Sequence, residues 1–246
     1  MTTEIPSSVT RASGGAGGLA RPAFARLLTV FGGIGLLAAA VLLVEKMALL
    51  ADPAYVPSCS INPILSCGSI MTTPQAEAFG FPNPLLGVAG FSVVTTVGVA
   101  LLAGARFARW FWLGLQTGVT AGLVFVHWLI VQSLYRIGAL CPYCMVVWVV
   151  TIALFVAVTS HNVRSRAIAA PHAVTRLTAY APTLVVAWLL VIAALVAVRF
   201  WDYWSMLLRA GLPPLVWVAA GGGLYLAILA AVVQHRNAAR RPAKHD

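Results

Sequence analysis

Six long apolar runs constrain the fold of this chain more than any other feature of its sequence. They cover residues 27–50, 85–105, 110–135, 141–160, 180–199 and 212–233. Each run is long enough to cross a hydrocarbon core of about 30 Å as a helix that rises about 1.5 Å per residue. Helices are favoured because lipid offers no partner to an unpaired backbone amide. Only 9% of the residues are charged, so we expect an all-α, polytopic membrane protein.

The basic residues predict which connections face the cytoplasm. Alternate connections carry Arg11, Arg21 and Arg26, then Arg106 and Arg109, then Arg164, Arg166 and Arg176, and finally Arg236, Arg240, Arg241 and Lys244. The loop 51–84 contains no lysine or arginine. Under the positive-inside rule, both termini are cytoplasmic and this loop is extracytoplasmic. The net charge of +10 is therefore a topology signal, and we expect no nucleic-acid partner, which would need the charges gathered on one folded face.

The four cysteines form two pairs, and the predicted topology puts all of them on the outer side. Cys59 and Cys67 lie in the loop 51–84, while Cys141 and Cys144 form a C-P-Y-C motif at the start of the fourth span. Disulfides persist outside the cytosol. The start of a helix also favours the thiolate of the first CxxC cysteine, and the thiolate is the nucleophile. The pattern favours redox chemistry, with a zinc site or a structural disulfide as alternatives.

The loop pair has the spacing of a small closed loop. Seven residues separate Cys59 from Cys67, and Asn62-Pro63 predicts a turn that lets the backbone fold back. Alone, such a pair indicates a structural disulfide. Beside a CxxC motif on the same side of the membrane, it favours thiol–disulfide exchange, which carries two electrons from one pair to the other.

The order and spacing of these motifs resemble the vitamin K epoxide reductase family, in its bacterial disulfide-forming branch. The resemblance covers about residues 25–160 and rests on Cys59, Cys67, Thr73, the run Asn83-Pro84-Leu85-Leu86-Gly87, and Cys141-Pro142-Tyr143-Cys144. It implies a four-helix bundle around a quinone, capped by the loop 51–84, as the catalytic core 24–160. The later apolar runs predict one or two additional transmembrane helices in residues 180–233, and the last of them is not part of the family's core pattern. Composition and charge predict a disordered cytoplasmic tail 1–23, a basic cytoplasmic connector 161–179 and a cytoplasmic tail 234–246.

The resemblance also implies a route for the electrons. A reduced, exported thioredoxin-like protein attacks the loop disulfide, with Cys59 as its contact. This partner is expected to be a separate protein, because no fused thioredoxin domain is predicted. Cys67 then attacks Cys141 of the oxidised motif, and Cys144 passes the electrons to a membrane quinone of the menaquinone or ubiquinone type. The alternative is a helical membrane protein whose four cysteines bind a metal or form inert disulfides.

Three further residues take roles from the resemblance, and no resident metal is expected. Asn83 would donate a hydrogen bond to the quinone oxygen; the sequence alone leaves a turn or helix cap as an alternative. Thr73 would support exchange between the cysteine pairs. Trp148 stands where the animal enzymes have a tyrosine, so it keeps an aromatic wall for a flat ring but lacks the hydroxyl donor. This departure argues against vitamin K epoxide chemistry, and we expect quinone reduction.

Some polar and small residues within the spans allow two interpretations. Glu45 and Lys46 either extend to the lipid headgroups or take part in quinone protonation. His127 either bonds a neighbouring helix or relays protons. A three-glycine repeat on the third span predicts close helix packing. Its members are Gly114, Gly118 and Gly122.

Overall fold

The computed structural model describes residues 21–209 and is helical throughout its regular structure. The predicted span 212–233, the tail 234–246 and nearly all of the tail 1–23 lie outside the described residues. The helices are α1 (Arg21–Ala51), α2 (Cys67–Met71), α3 (Pro84–Leu102), α4 (Arg109–Val131), α5 (Pro142–Arg164), α6 (His172–Leu177), α7 (Ala181–Arg199) and α8 (Trp201–Arg209). A π-helical turn, Gln132–Ile137, continues α4, and 3₁₀ turns occupy Pro74–Glu77 and Thr178–Tyr180.

Five helical stretches are long and apolar enough to cross a membrane. They are Pro22–Ala51, Pro84–Leu102, Arg109–Ile137, Pro142–Arg164 and His172–Arg199. Each overlaps one of the first five predicted spans, so the prediction of an all-α, polytopic membrane protein is confirmed. Proline in the first turn of α3 and of α5 fits the point where a helix has no intrahelical partner for its N–H.

α1 packs along α3 because glycines remove side chains from the contact. A Cβ on Gly98 of α3 would lie 2.5 Å from the backbone nitrogen of Thr29 on α1. A Cβ on Gly32 of α1 would lie 2.7 Å from Thr95 Oγ1 on α3. Such distances exclude any larger residue without a shift of the backbone, so close approach of these two helices depends on glycine.

The glycine repeat of α4 has a different environment from the one predicted. A Cβ on Gly114 or Gly118 would meet no atom within 4 Å, and one on Gly122 would meet only the Thr151 methyl group at 3.9 Å. The prediction of close packing at this repeat is therefore wrong. The backbones of α3 and α4 barely approach each other, and the repeat lines the cavity that separates them.

α7 is joined to the four-helix core by a hydrogen bond within the membrane region. Trp188 Nε1 donates to His127 Nε2 at 3.0 Å, while His127 Nδ1 lies 2.8 Å from the Leu123 carbonyl oxygen. Since Nε2 accepts, Nδ1 carries the proton and donates to Leu123, which makes the imidazole neutral. Of the two roles that the sequence allows for His127, the structure therefore supports the hydrogen bond to a neighbouring helix.

The two ends of the bundle differ in charge and in chemistry. Arg109 Nε, at the start of α4, donates to the Ala167 carbonyl oxygen beyond the end of α5 at 2.9 Å. The arginine clusters of these two connections therefore meet at one end. The cysteines gather at the opposite end, where the residues between α1 and α3 cover the bundle.

Candidate active site

A single backbone pairing brings the two cysteine motifs together. Leu65 and Leu140 form an isolated parallel bridge, in which Leu140 N–H donates to the Ile64 carbonyl at 2.7 Å and Ser66 N–H donates to the Leu140 carbonyl at 2.9 Å. Cys141 follows Leu140 directly, and Cys67 is separated from Leu65 by Ser66 alone. The Asn62 side chain closes the preceding turn by accepting from Leu65 N–H at 2.7 Å, which confirms the predicted turn.

Three sulfur atoms meet at this point. Cys59 and Cys67 form a disulfide, and Cys141 Sγ lies 3.0 Å from Cys67 Sγ. The three Sγ atoms all lie within 4.8 Å of one another. Cys59 is 4% exposed and Cys67 is 0% exposed, so the disulfide is covered on all sides. A thiolate at Cys141 would need almost no movement to attack Cys67 and release Cys59.

The free cysteines Cys141 and Cys144 lie at the N-terminus of α5. Cys141 is the N-cap, and its Sγ accepts from Cys144 N–H at 3.3 Å. Burial raises the pKa of the Cys141 thiol, but hydrogen bonds from the Cys144 side chain and from the Cys144 and Tyr143 N–H groups outweigh it. The pKa of Cys141 therefore lies below its ordinary value, which favours the thiolate that attacks in exchange.

Cys144 opens onto a cavity of about 560 Å³ bounded by α1, α3, α4 and α5. The polar residues that line this cavity are concentrated at the end next to the cysteines and include Lys46, Gln75 and Asn83. Along α4 the lining is apolar and extends to Trp110, at the end of the bundle that lies opposite the cysteines. A site of this kind suits a ligand with one polar ring and a long apolar tail.

The structure places the three additional predicted residues in different surroundings. Trp148 is buried, and Trp148 and Asn83 both line the cavity. Asn83 makes no side-chain helix cap. Its Oδ1 accepts from Ala78 N–H at 3.1 Å and its Nδ2 donates to the Gln75 carbonyl at 2.7 Å, so the amide closes the preceding turn, as the alternative interpretation expects. One N–H of the amide is left for a ligand. Thr73 does not line the cavity, and its hydroxyl donates to the Ile70 carbonyl at 2.7 Å. Any effect of Thr73 on exchange would act through the shape of the turn after α2.

Glu45 and Lys46 bind the loop 51–84 and do not extend to lipid headgroups. Glu45 is 7% exposed and accepts from Tyr55 and Ser58, whereas Lys46 is 5% exposed and pairs with Glu77 at 2.8 Å. The snorkelling interpretation is therefore wrong. The sequence contained a signal for this pairing. The loop 51–84 has two carboxylates and no lysine or arginine, so a loop carboxylate that becomes buried must take its basic partner from a helix.

The Glu45 carboxylate also changes the titration of its loop partner. The hydrogen bond from the Tyr55 hydroxyl to Glu45 raises the pKa of Tyr55 above its usual value, because it stabilises the protonated phenol. Tyr55 therefore stays protonated at neutral pH and keeps this bond.

The sulfur cluster is a poor metal site in this state. Cys59, Cys67 and Cys141 are the one group of potential metal ligands within the described part of the chain. Two of these three sulfurs are bonded to each other and offer no thiolate, which is the form that zinc requires. In the disulfide state, therefore, Cys141 is the one cysteine of this group that can offer a thiolate.

The comparison with known proteins agrees with the arrangement of the cysteines. No individual protein of curated function matches the chain at a significant level. The sequence profile of the vitamin K epoxide reductase family matches residues 26–159, which is more than half of the chain and includes α1 to α5 almost entirely. This family consists of membrane thiol–disulfide oxidoreductases, and the matched segment contains both cysteine pairs and the cavity. The chain therefore belongs to the vitamin K epoxide reductase family.

Proposed function

We propose that this membrane oxidoreductase reoxidises an exported thioredoxin-like protein and transfers the electrons to a membrane quinone. The observation that carries the proposal is the 3.0 Å separation of Cys67 Sγ and Cys141 Sγ. At that distance, one sulfur can exchange partners with the next without a change of fold. Cys144 then connects the exchange site to the cavity.

The reaction balances as a transfer of two electrons and two protons. The partner's dithiol attacks Cys59, reduces the loop disulfide and leaves as a disulfide. Cys67 attacks Cys141 of the oxidised motif, and Cys144 leaves as a thiolate. Cys59 then attacks Cys67, which re-forms the loop disulfide and releases Cys141. The reduced pair Cys141 and Cys144 finally becomes a disulfide again as the quinone becomes a quinol.

The cavity supports a quinone as the electron acceptor. The free N–H of Asn83 can donate to a ring oxygen, which gains negative charge during reduction. Trp148 offers an aromatic surface beside Cys144. The apolar groove along Gly114 and Gly118 has room for a prenyl tail of a menaquinone or ubiquinone. The chain's own residues would bind and orient the ring, while the quinone accepts the electrons.

The proposed sidedness follows from the charges. The arginine clusters between α3 and α4 and after α5 meet at the end of the bundle that is opposite the sulfurs. The positive-inside rule assigns that end to the cytoplasm. Both cysteine pairs would then face the extracytoplasmic side, where a separate thioredoxin-like partner can reach them.

A purified system tests the proposed electron route. Reduced thioredoxin-like protein and a water-soluble quinone are mixed with the protein, and the absorbance of the quinone is followed. We expect quinone loss to match partner oxidation one to one, and Cys144→Ser to abolish quinone loss. A partner that lacks its second cysteine should remain joined to the protein as a mixed disulfide, and Cys59→Ser should prevent this product. Undiminished quinone reduction by Cys144→Ser would refute the proposal.

A further inference from the structure

We propose that Glu45 and Lys46 are positioning residues that hold the two halves of the loop disulfide separately, and that the half held by Glu45 opens to admit the partner. The inference rests on the proposed function. We call residues 55–59 the Cys59 limb and residues 67–77 the Cys67 limb. The two charged residues are neighbours in α1, so their side chains diverge by about 100° around the helix and reach different limbs.

Glu45 binds the Cys59 limb. Its carboxylate accepts from the Tyr55 hydroxyl at 2.9 Å, from the Ser58 hydroxyl at 2.5 Å and from Ser58 N–H at 3.2 Å. Across residues 21–209, every observed hydrogen bond from the Cys59 limb to a membrane helix ends on Glu45. This limb therefore depends on a single carboxylate for its polar attachment to the bundle.

Lys46 binds the Cys67 limb. Its Nζ donates to the Met71 carbonyl at 2.7 Å and pairs with Glu77 at 2.8 Å. The Cys67 limb has further attachments, because Asn83 Nδ2 donates to the Gln75 carbonyl and the Leu65–Leu140 bridge immediately precedes it. It is thus held at several points, and it also forms part of the cavity lining.

The burial of the disulfide requires one limb to move. An attacking thiolate must touch a sulfur, yet Cys59 is 4% exposed and Cys67 is 0% exposed. Opening the Cys67 limb would separate Cys67 from Cys141 and disturb the quinone cavity. Opening the Cys59 limb breaks the hydrogen bonds to Glu45 and exposes Pro57 and Cys59, but it leaves Cys67 beside Cys141. The limb that opens at the lower cost is therefore the one that carries the predicted partner contact.

Two measurements that need neither quinone nor protein partner separate the two positioning roles. The first is the rate at which a small, membrane-impermeant thiol reduces the Cys59–Cys67 disulfide, followed by mass-tag labelling. The second is the equilibrium fraction of Cys67–Cys141 disulfide in a Cys144→Ser background, where Cys141 can attack Cys67 but is not resolved by a second thiol.

We expect Glu45→Gln, and Tyr55→Phe combined with Ser58→Ala, to speed reduction of the loop disulfide about tenfold, because lost hydrogen bonds to a charged group favour the open limb. The Cys67–Cys141 fraction should stay unchanged. Lys46→Met and Glu77→Gln should lower that fraction severalfold while leaving the reduction rate within about twofold. The Tyr55, Ser58 and Glu77 substitutions alter loop side chains alone, so they keep the test valid if a buried α1 variant fails to fold.

The proposal would be overturned if the Glu45 variants and the Lys46 variants, each with its loop partners, changed the reduction rate and the Cys67–Cys141 fraction in the same way. It would also be overturned if the Glu45 variants left the reduction rate unchanged. Failure of the proposed function has a different signature. In that case the two measurements would still divide as expected, but the protein would not transfer electrons from a thioredoxin-like protein to a quinone.

Discussion

Leu140 N–H donates to the Ile64 carbonyl at 2.7 Å, and this bond joins two segments that are far apart in the sequence. It belongs to the only β-bridge within residues 21–209, and each of the two paired segments leads within two residues to a cysteine of the exchange site. The distance between Cys67 Sγ and Cys141 Sγ therefore depends on backbone pairing outside the cysteine motifs.

Replacement of Leu140 by proline should uncouple the two cysteine pairs. Proline removes the N–H that donates to Ile64, and a one-residue shift of the bridge would carry Cys141 away from Cys67. In a Cys144→Ser background, we expect the yield of Cys67–Cys141 disulfide to fall at least about tenfold. Leu140→Val, which retains the N–H, is the control. An equal loss in both variants would mean that side-chain packing, not the bridge, aligns the sulfurs.

The pH dependence of Cys141 reactivity should depend on the Cys144 side chain. The thiolate reacts, and the hydrogen bond from Cys144 helps to hold the pKa of Cys141 below its ordinary value. Cys144→Ala removes this donor, so the midpoint of Cys141 modification by a small methanethiosulfonate reagent should move to higher pH. Cys144→Ser keeps a donor and should move it less. A lower midpoint in the alanine variant would contradict the assignment.

The features of this structure that depend on local sequence patterns were predictable. Apolar length located the five described spans, and Asn62-Pro63 indicated the turn that the Asn62 side chain closes. The pairing of Leu65 with Leu140 was not predictable, because no local pattern states which loop residue meets the start of α5. The partners of Glu45 and Lys46 were missed for the same reason. A charge at the end of a span has the same local pattern whether it faces headgroups or a folded loop, and only the charge balance of the loop 51–84 indicated a pairing with α1.

The glycines illustrate this limit within the membrane. Regular spacing shows that Gly114 and Gly118 share a face of α4, but not what lies opposite that face. Gly98 faces a backbone 2.5 Å from the position of its missing Cβ, whereas Gly118 faces open space. Helical periodicity shows which residues share a face of a helix, but the tertiary fold decides whether another helix packs on that face or a cavity borders it.

Alanine substitutions at these two glycines should have opposite consequences for stability. Gly98→Ala should destabilise the protein by about 1–3 kcal/mol, because α1 and α3 must separate to admit the methyl group. Gly118→Ala should leave stability unchanged or slightly higher, because alanine favours a helix by up to about 1 kcal/mol. Thermal unfolding in detergent measures both variants. Equal destabilisation would show that Gly118 also lies in a tight contact.

A large side chain at Gly118 should block long-tailed quinones selectively. Leucine there would extend into the groove between α3 and α4, 14 residues along α4 from Gln132 at the cysteine end of the cavity. We expect Gly118→Leu to lower turnover with a prenylated quinone about tenfold or more, since a filled groove leaves the tail no buried path. Turnover with a tailless quinone should stay within about twofold, because the ring site is intact.

Ala121→Leu adds similar bulk at an exposed position of α4 and should affect neither substrate. Equal loss of both activities in Gly118→Leu would indicate a distorted bundle, and full activity with the prenylated quinone would show that the tail does not use this groove.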